Sequence, residues 1–402
     1  MNIAAFAWEF APFINGGLGR FVEYYTKHLT EDGHKIWAFA SNTGKLEKKK
    51  EYKNLVLYRP LNRLMKAIIP WRVSRGLMII YYNIASYMQL RKIVKNTKID
   101  VISVHDWMNC LVGILCTVTF RIPVVFHVHS TENTMVPWNK KNVLFKIIAV
   151  FERLMASRAS KIIVASEQMH KLLVEHGWSS SKIRVVPYGH DNSSAIFSSE
   201  KSPVSSACEI RSKINALPDE KILLFVGRLI YSKGIFQLLK AMPLVVKTNP
   251  KIKLVLVGAG DKEKVDLLIH TLGLSNNVFA YHRFLGVNEV AAHYLMSDIC
   301  IFPSLYEPFG LVALEAMSLG KPVILGSGFS KIFGGSSENP TALLVDSKNP
   351  YEIAKAIGTL LDDPERSNKM GREAKEYVKN SFDWNLSLIQ TVEEYRQAIA
   401  GR

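Results

Sequence analysis

The chain has 402 residues, 48% of them hydrophobic, with 51 Lys and Arg against 35 Asp and Glu and a formal net charge of +16. That length predicts about two domains with ample buried cores. No uncharged apolar run reaches about 18 residues, which excludes a spanning helix, and residues 2–6 lead straight into a buried strand, so no secretory leader is expected.

Cys110, Cys116, Cys208 and Cys300 show no metal-type pair spacing and read as packing thiols of a reduced, cytoplasmic chain. The charge is lopsided. Residues 1–195 hold 27 basic and 13 acidic side chains, a net of +14, which leaves +2 for the remainder. Within residues 45–98 there are 14 basic and 2 acidic residues, interleaved with Leu64, Met65, Ile68, Ile69, Trp71 and Met78. Cations with apolar and aromatic anchors suit an anionic membrane face. A solvated basic surface is the plain alternative, and nucleic acid is not expected as a partner.

In chain order, residues 3–6 read as a strand, 11–19 as a loop holding Gly16 and Gly17, and 18–30 as a helix closed by Gly33 before a strand at 36–40. A strand, a glycine loop and a helix bring backbone amides near a diphosphate, although a tight turn uses the same residues. Residues 76–90 and 107–120 read as core helices. A strand at 101–104 ends in His105-Asp106-Trp107, and another at 124–127 leads to His127, His129, Ser130, Thr131 and Glu132. Polar groups at strand C-termini of an open α/β sheet fall where ligands bind. His127 and His129 share a strand face, but no further residues with zinc-ligand spacing accompany them. Strands at 162–165 and 185–187 precede a Ser-rich stretch, residues 192–207, that reads as a connection between domains.

Strand and helix alternation resumes at 222–226. Gly227-Arg228 and Lys233-Gly234 follow, then a helix to about residue 246, so that Arg228 and Lys233 could clamp two phosphates. Strands at 254–257 and 278–281 lead to residues 301–325, which read as strand, loop, helix and strand. Pro308 suits a helix entrance, and the N–H groups of Phe309, Gly310 and Leu311 would favour an anion there. Glu307 stands in the loop and Glu315 eight positions later. Two carboxylates beside an anion site fit a ligand that carries hydroxyls as well as phosphate. A strand at 343–345, a helix at 351–361 and a largely helical stretch at 368–400 complete the chain. The organisation is α/β: two doubly wound halves, with a ligand expected in the cleft between them.

Neither the P-loop pattern nor the dinucleotide-binding glycine fingerprint is present, and there is no Asp-x-Asp for a metal-held diphosphate. The segment 303–324, with Glu307-Pro308-Phe309-Gly310-Leu311 and Glu315, resembles the donor-site signature of retaining GT-B glycosyltransferases, in the large family that includes glycogen synthases (glycosyltransferase family 4 type). Gly227-Arg228 with Lys233-Gly234 is similar to its phosphate clamp. Gly16-Gly17-Leu18, His105-Asp106-Trp107, His129-Ser130-Thr131-Glu132 and Val186-Pro187 with Gly189 match in order, over nearly the whole chain.

The resemblance implies a GT-B fold: a Rossmann-like acceptor-side domain over 1–195, a linker over 196–215, and a nucleotide-sugar domain over 216–402 whose C-terminal helices pack back on the first. It implies a hexosyltransferase that retains configuration, needs no metal or cofactor, and moves a hexose from a nucleotide sugar to a glycan or lipid-linked acceptor. Arg228 and Lys233 would bind the diphosphate and stabilise it as it leaves, where negative charge grows. Gly16, Gly17, Phe309, Gly310 and Leu311 would add amides, Glu307 would bind the donor sugar and Glu315 the ribose. His129 would sit near the reacting sugar and Asp106 on the acceptor side. Ile14 departs from glycogen synthases, which have Lys there, and the basic first half points instead to a membrane-proximal acceptor. The alternatives are α-glucan elongation, a sugar-nucleotide epimerase, and a non-catalytic sugar-nucleotide or glycan-binding protein.

Overall fold

The computed structural model describes residues 1–12, 17–42, 46–60, 71–131, 143–190, 203–336 and 339–401; the side chains of 71–75, 203–206 and 287 fall outside that description. Ile14, Gly16, Glu132, Asp191 and the 61–70 part of the basic stretch therefore lie outside the described residues. Two compact units result: 1–188 with 384–402, and 189–383.

In the first unit β1 (Asn2–Phe6), α1 (Gly17–Glu31), β2 (Lys35–Phe39), β3 (Lys49–Glu51), β4 (Leu55–Tyr58), α2 (Trp71–Val94), β5 (Val101–His105), α3 (Cys110–Thr119), β6 (Val124–Val128), α4 (Val143–Arg158), β7 (Lys161–Val164), α5 (Glu167–Glu175) and β8 (Ile183–Val185) follow in order. The described strands are arranged β3-β4-β2-β1-β5-β6-β7-β8, and only β3 runs antiparallel to its neighbour. β5 and β6 are buried along their whole length, as a parallel sheet covered on both faces requires.

The second unit contains α6 (Pro203–Lys213), β9 (Lys221–Val226), α7 (Ile235–Thr248), β10 (Ile252–Val257), α8 (Lys262–Thr271), β11 (Val278–Tyr281), α9 (Val287–Met296), β12 (Ile299–Phe302), α10 (Leu311–Ser318), β13 (Val323–Gly326), β14 (Leu343–Val345), α11 (Pro350–Asp362) and α12 (Pro364–Ser381). Its described strands are parallel in the order β11-β10-β9-β12-β13-β14. Pro350 and Pro364 open α11 and α12, where a missing N–H breaks no bond, and the Asn349 and Asp363 side chains accept from the N–H groups of Tyr351 and Arg366. The chain then returns to the first unit as α13 (Trp384–Ala400), which lies on β5, β6, β7 and α1.

Several elements differ from the sequence expectation. The 107–120 helix starts as a 3-10 turn at Trp107–Asn109 and becomes α-helical at Cys110, because Asp106 takes φ 59° at the end of β5. Residues 49–58 form two strands that charge alone concealed. Pro203–Lys213, placed in the connection for its serines, is a helix against α9 with Ala207, Ile210 and Ile214 buried at helical spacing. Pro308 does not open a helix: α10 begins at Leu311 with Gly310 as its N-cap. The 368–400 stretch is broken at Phe382-Asp383, and its two halves belong to different units.

Candidate active site

In the second unit the β9–α7 loop and the β12–α10 loop lie against each other. Gly234 makes this contact geometrically feasible. Its φ is 72°, and a Cβ there would stand 1.8 Å from the carbonyl oxygen of Pro303. The N–H of Leu305 donates to the carbonyl of Ser232 at 2.9 Å, and Ser347 Oγ donates to the carbonyl of Ser304 at 2.8 Å. With the loops fixed in this way, Lys233 Nζ reaches Glu307 Oε2 at 2.7 Å, with both side chains largely buried. Ser304 Oγ donates to the same oxygen at 3.3 Å, and the Glu307 N–H donates to the carbonyl of Gly328 at 3.2 Å. Arg228 is exposed on the β9–α7 loop that also carries Lys233.

Gly310, with φ 109°, turns the chain into α10, and a Cβ there would enter the Phe329 ring at 2.3 Å. The N–H groups of the first turn of an α-helix have no intrahelical acceptor, so this end attracts anions. Phe309 is buried and braced edge-on by Phe333 and Phe382. Glu315 lies one turn beyond Leu311, and the Tyr294 hydroxyl donates to its Oε2 at 2.9 Å. The second unit thus holds two cations, an amide-rich helix start and two oriented carboxylates on adjoining loops and one helix. It is suited to a ligand with both phosphates and hydroxyls.

In the first unit Gly17 is exposed as the first residue of α1. His129 is buried, and both of its ring nitrogens are engaged. Nε2 pairs with His105 Nδ1 at 3.0 Å, and Nδ1 pairs with the Tyr188 hydroxyl. His105 Nε2 continues to Ser103 Oγ at 2.8 Å, and the Tyr395 hydroxyl lies 2.9 Å from Ser103 Oγ and 2.7 Å from His127 Nε2. The Tyr395 and Tyr25 hydroxyls are also hydrogen-bonded. Burial disfavours the charged form of the three imidazoles and of the Tyr25 and Tyr395 phenols. It pushes His129 down to about 3, holds His105 and His127 well below the usual imidazole range, and raises Tyr25 to about 12 and Tyr395 well above its usual value. The imidazoles are neutral and the phenols protonated at physiological pH.

Asp106 Oδ1 accepts from the N–H groups of His129 at 2.7 Å and Ser130 at 3.2 Å. Its carboxylate holds the turn after β6, while the His129 ring faces inward. Lys233 and Glu307 are therefore brought into contact, Arg228 shares their loop, and Glu315 is oriented along α10. Asp106 and His129 form a separate pair in the first unit. Sequence reasoning missed Ser304, Tyr294, Ser103, Tyr25, Tyr188 and Tyr395. Period-two spacing puts Ser103 and His105, and likewise His127 and His129, on one sheet face. Tyr188 and Tyr395 have no local sequence signal.

The chain is similar to known proteins in both sequence and fold. The family model described as Glycosyl transferases group 1 matches residues 207–377, and the one described as Glycosyltransferase Family 4 matches residues 15–194. A D-inositol 3-phosphate glycosyltransferase of Corynebacterium jeikeium is 30% identical over 72% of this chain and 70% of its own length. The chain belongs to the GT-B glycosyltransferases of the family 4 type. An uncharacterised glycosyltransferase of Methanocaldococcus jannaschii is 28% identical over 99% of each chain. A glycogen synthase of Mycobacterium tuberculosis is 25% identical over 100% of this chain and 96% of its own. Among solved structures, sucrose-phosphate synthase from Thermosynechococcus elongatus superposes with a TM-score of 0.82 at 24% identity, covering both chains fully. The catalytic domain of starch synthase IV from Arabidopsis thaliana, solved with ADP and acarbose, superposes at 0.75 with 14% identity over 99% of each chain. The structural likenesses establish the GT-B fold, and the family models and sequence relatives establish a glycosyltransferase enzyme.

Proposed function

We propose that this glycosyltransferase moves a hexose from a nucleoside-diphosphate sugar to a glycan or lipid-linked acceptor, with retention at the anomeric carbon and without a metal or other cofactor. The observation that carries this reading is the Lys233–Glu307 pair, which joins the β9–α7 loop to the loop that ends at the start of α10. Lys233, Arg228 and the first-turn amides of α10 match a diphosphate, and the cations do the neutralising that a metal does elsewhere. Glu307 lies within reach of the sugar hydroxyls beside that diphosphate. Glu315, aimed by Tyr294, fits the ribose diol.

The reaction breaks the anomeric carbon–phosphate oxygen bond, and negative charge grows on the diphosphate, where Arg228, Lys233 and the helix start stabilise it. The acceptor hydroxyl forms the new bond from the same face, and its proton passes to the departing phosphate oxygen. His129 has both ring nitrogens occupied, so its contribution to the sugar comes from its backbone, which Asp106 holds through the His129 N–H. The glycogen synthase likeness favours a glycan acceptor. The cationic first unit favours a lipid-linked one met at an anionic membrane face by residues 45–98, and we take the latter as the working reading.

The test is release of nucleoside diphosphate from a panel of nucleotide sugars in the presence of a chelator, with the anomeric configuration of the product read by NMR. Chelator-resistant release with retention, lost in Glu307→Ala, is expected. Turnover unchanged in Glu307→Ala, or an inverted product, refutes the assignment; isomerised donor without transfer identifies an epimerase.

A further inference from the structure

Among the described residues, the first unit carries an exposed apolar face. On α4 the large apolar residues Val143, Leu144, Ile147, Val150, Phe151 and Leu154 are exposed, Val143 at 71% and Val150 at 64%. They fall on one stripe of the helix, while Ile148, Glu152, Met155 and Ala156 form the buried stripe opposite. On α2 the exposed residues are Leu77, Ile80, Tyr81, Ile84 and Met88, again a single stripe. α3 touches both helices and adds Val118, 64% exposed. Three neighbouring helices thus present apolar side chains to solvent, whereas soluble monomers rarely expose a large contiguous apolar patch.

The exposed charges on these helices are of one sign. Exposed Lys146, Arg153 and Arg158 flank or extend the α4 stripe, and Arg91 and Lys92 extend the α2 stripe. The three helix sequences contain one carboxylate, Glu152, which is 1% exposed. A second copy of the chain would set two cationic, carboxylate-free faces together, which like-charge repulsion opposes. An anionic bilayer satisfies both features, with headgroups for the cations and acyl chains for the apolar stripe. No helix among the described residues is long and apolar enough to cross a membrane, so the contact lies along the surface.

The geometry points to the outer face of α2, α3 and α4 as a docking surface for an anionic lipid bilayer. This deepens the membrane-proximal reading above and rests on it for the acceptor alone; the donor chemistry stands independently. Full-length protein is sedimented with phosphatidylglycerol/phosphatidylcholine vesicles and with pure phosphatidylcholine vesicles at low and high salt. Ile147→Asp/Val150→Asp removes apolar insertion, and Lys146→Glu/Arg158→Glu reverses charge; both change exposed residues only. Wild type is expected to bind the anionic vesicles, with at least tenfold weaker binding in each variant, while thermal stabilisation by nucleoside diphosphates stays unchanged in both. Failure of wild type to sediment with anionic vesicles overturns the proposal and leaves an acidic protein as the occupant. Variants that bind like wild type also overturn it. A wild-type dimer that Ile147→Asp/Val150→Asp converts to a monomer overturns it in favour of a second copy. Loss of donor hydrolysis with vesicle binding intact counts against the donor site alone.

Discussion

Acidification should unfold the first unit selectively. His105, His127 and His129 are neutral because burial lowers the affinity of each for a proton, to about 3 for His129. In the unfolded chain each returns to the ordinary imidazole value of 6.5. Below that pH the unfolded state binds protons that the native state refuses, so the stability these groups contribute is present above 6.5 and lost as pH falls beneath it. Each such histidine loses on the order of 1 kcal/mol between roughly pH 7.5 and 5.5, and the three together several kcal/mol. Against a domain stability of about 5–15 kcal/mol this shift is large. The assay is urea unfolding followed by tryptophan fluorescence, since all seven tryptophans (8, 37, 71, 107, 138, 178 and 384) belong to the first unit. His127→Gln, whose amide can still accept from Tyr395, should reduce the pH slope by about one third. A midpoint that stays constant between those pH values, or a slope unaffected by His127→Gln, refutes the reasoning.

Lys233→Ala should lower turnover by about 10²–10³, the size expected when a donor aimed at developing charge is lost. In Lys233→Ala/Glu307→Ala the losses should be non-additive, because the two groups touch; strict additivity in kcat/KM would count against the pair. Tyr294→Phe frees Glu315 from its 2.9 Å hydrogen bond. It should raise the Kd for nucleoside diphosphate about tenfold, or about 1.4 kcal/mol by calorimetry, with Tm nearly unchanged. Gly234→Ala forces an L side chain to a positive φ and into the Pro303 carbonyl. It should destabilise by about 1–3 kcal/mol and weaken donor binding, measured by thermal unfolding with and without nucleotide.

The two-domain α/β organisation was legible because buried parallel strands read as short apolar runs, as in Ile222–Val226 and Val101–Val104. The polar residues of the second unit's loops stood out because loop and helix chemistry is local: Arg228 with Lys233, and Glu307 with Glu315, lie within short stretches of sequence. What connects those stretches was not. The Lys233–Glu307 contact depends on Gly234 admitting Pro303 from a loop about 70 residues away, and no spacing rule reports that. The histidine cluster was half visible. Alternation placed His127 and His129 together, but Ser103, Tyr188 and Tyr395 complete the network from three other parts of the fold. Nor does any local pattern report that two backbone amides, of His129 and Ser130, donate to one oxygen of Asp106.

The route of α13 has a consequence for how the protein is made. Tyr395 is fully buried and hydrogen-bonds Tyr25 and His127, across sequence separations of 370 and 268. A nascent chain that has delivered β1 to β8 still lacks this helix until all of 189–383 has been translated. At about 5–20 residues per second the ribosome keeps it waiting for roughly 10–40 seconds. During that interval the part of the sheet face that α13 covers stays open, while the three imidazoles are packed from α1 by Phe21 and Tyr25. The second unit, contiguous in sequence, is complete first. The unit whose strands are translated earlier is thus the one that finishes folding later, and shielding of its open face by a chaperone would matter most in that interval.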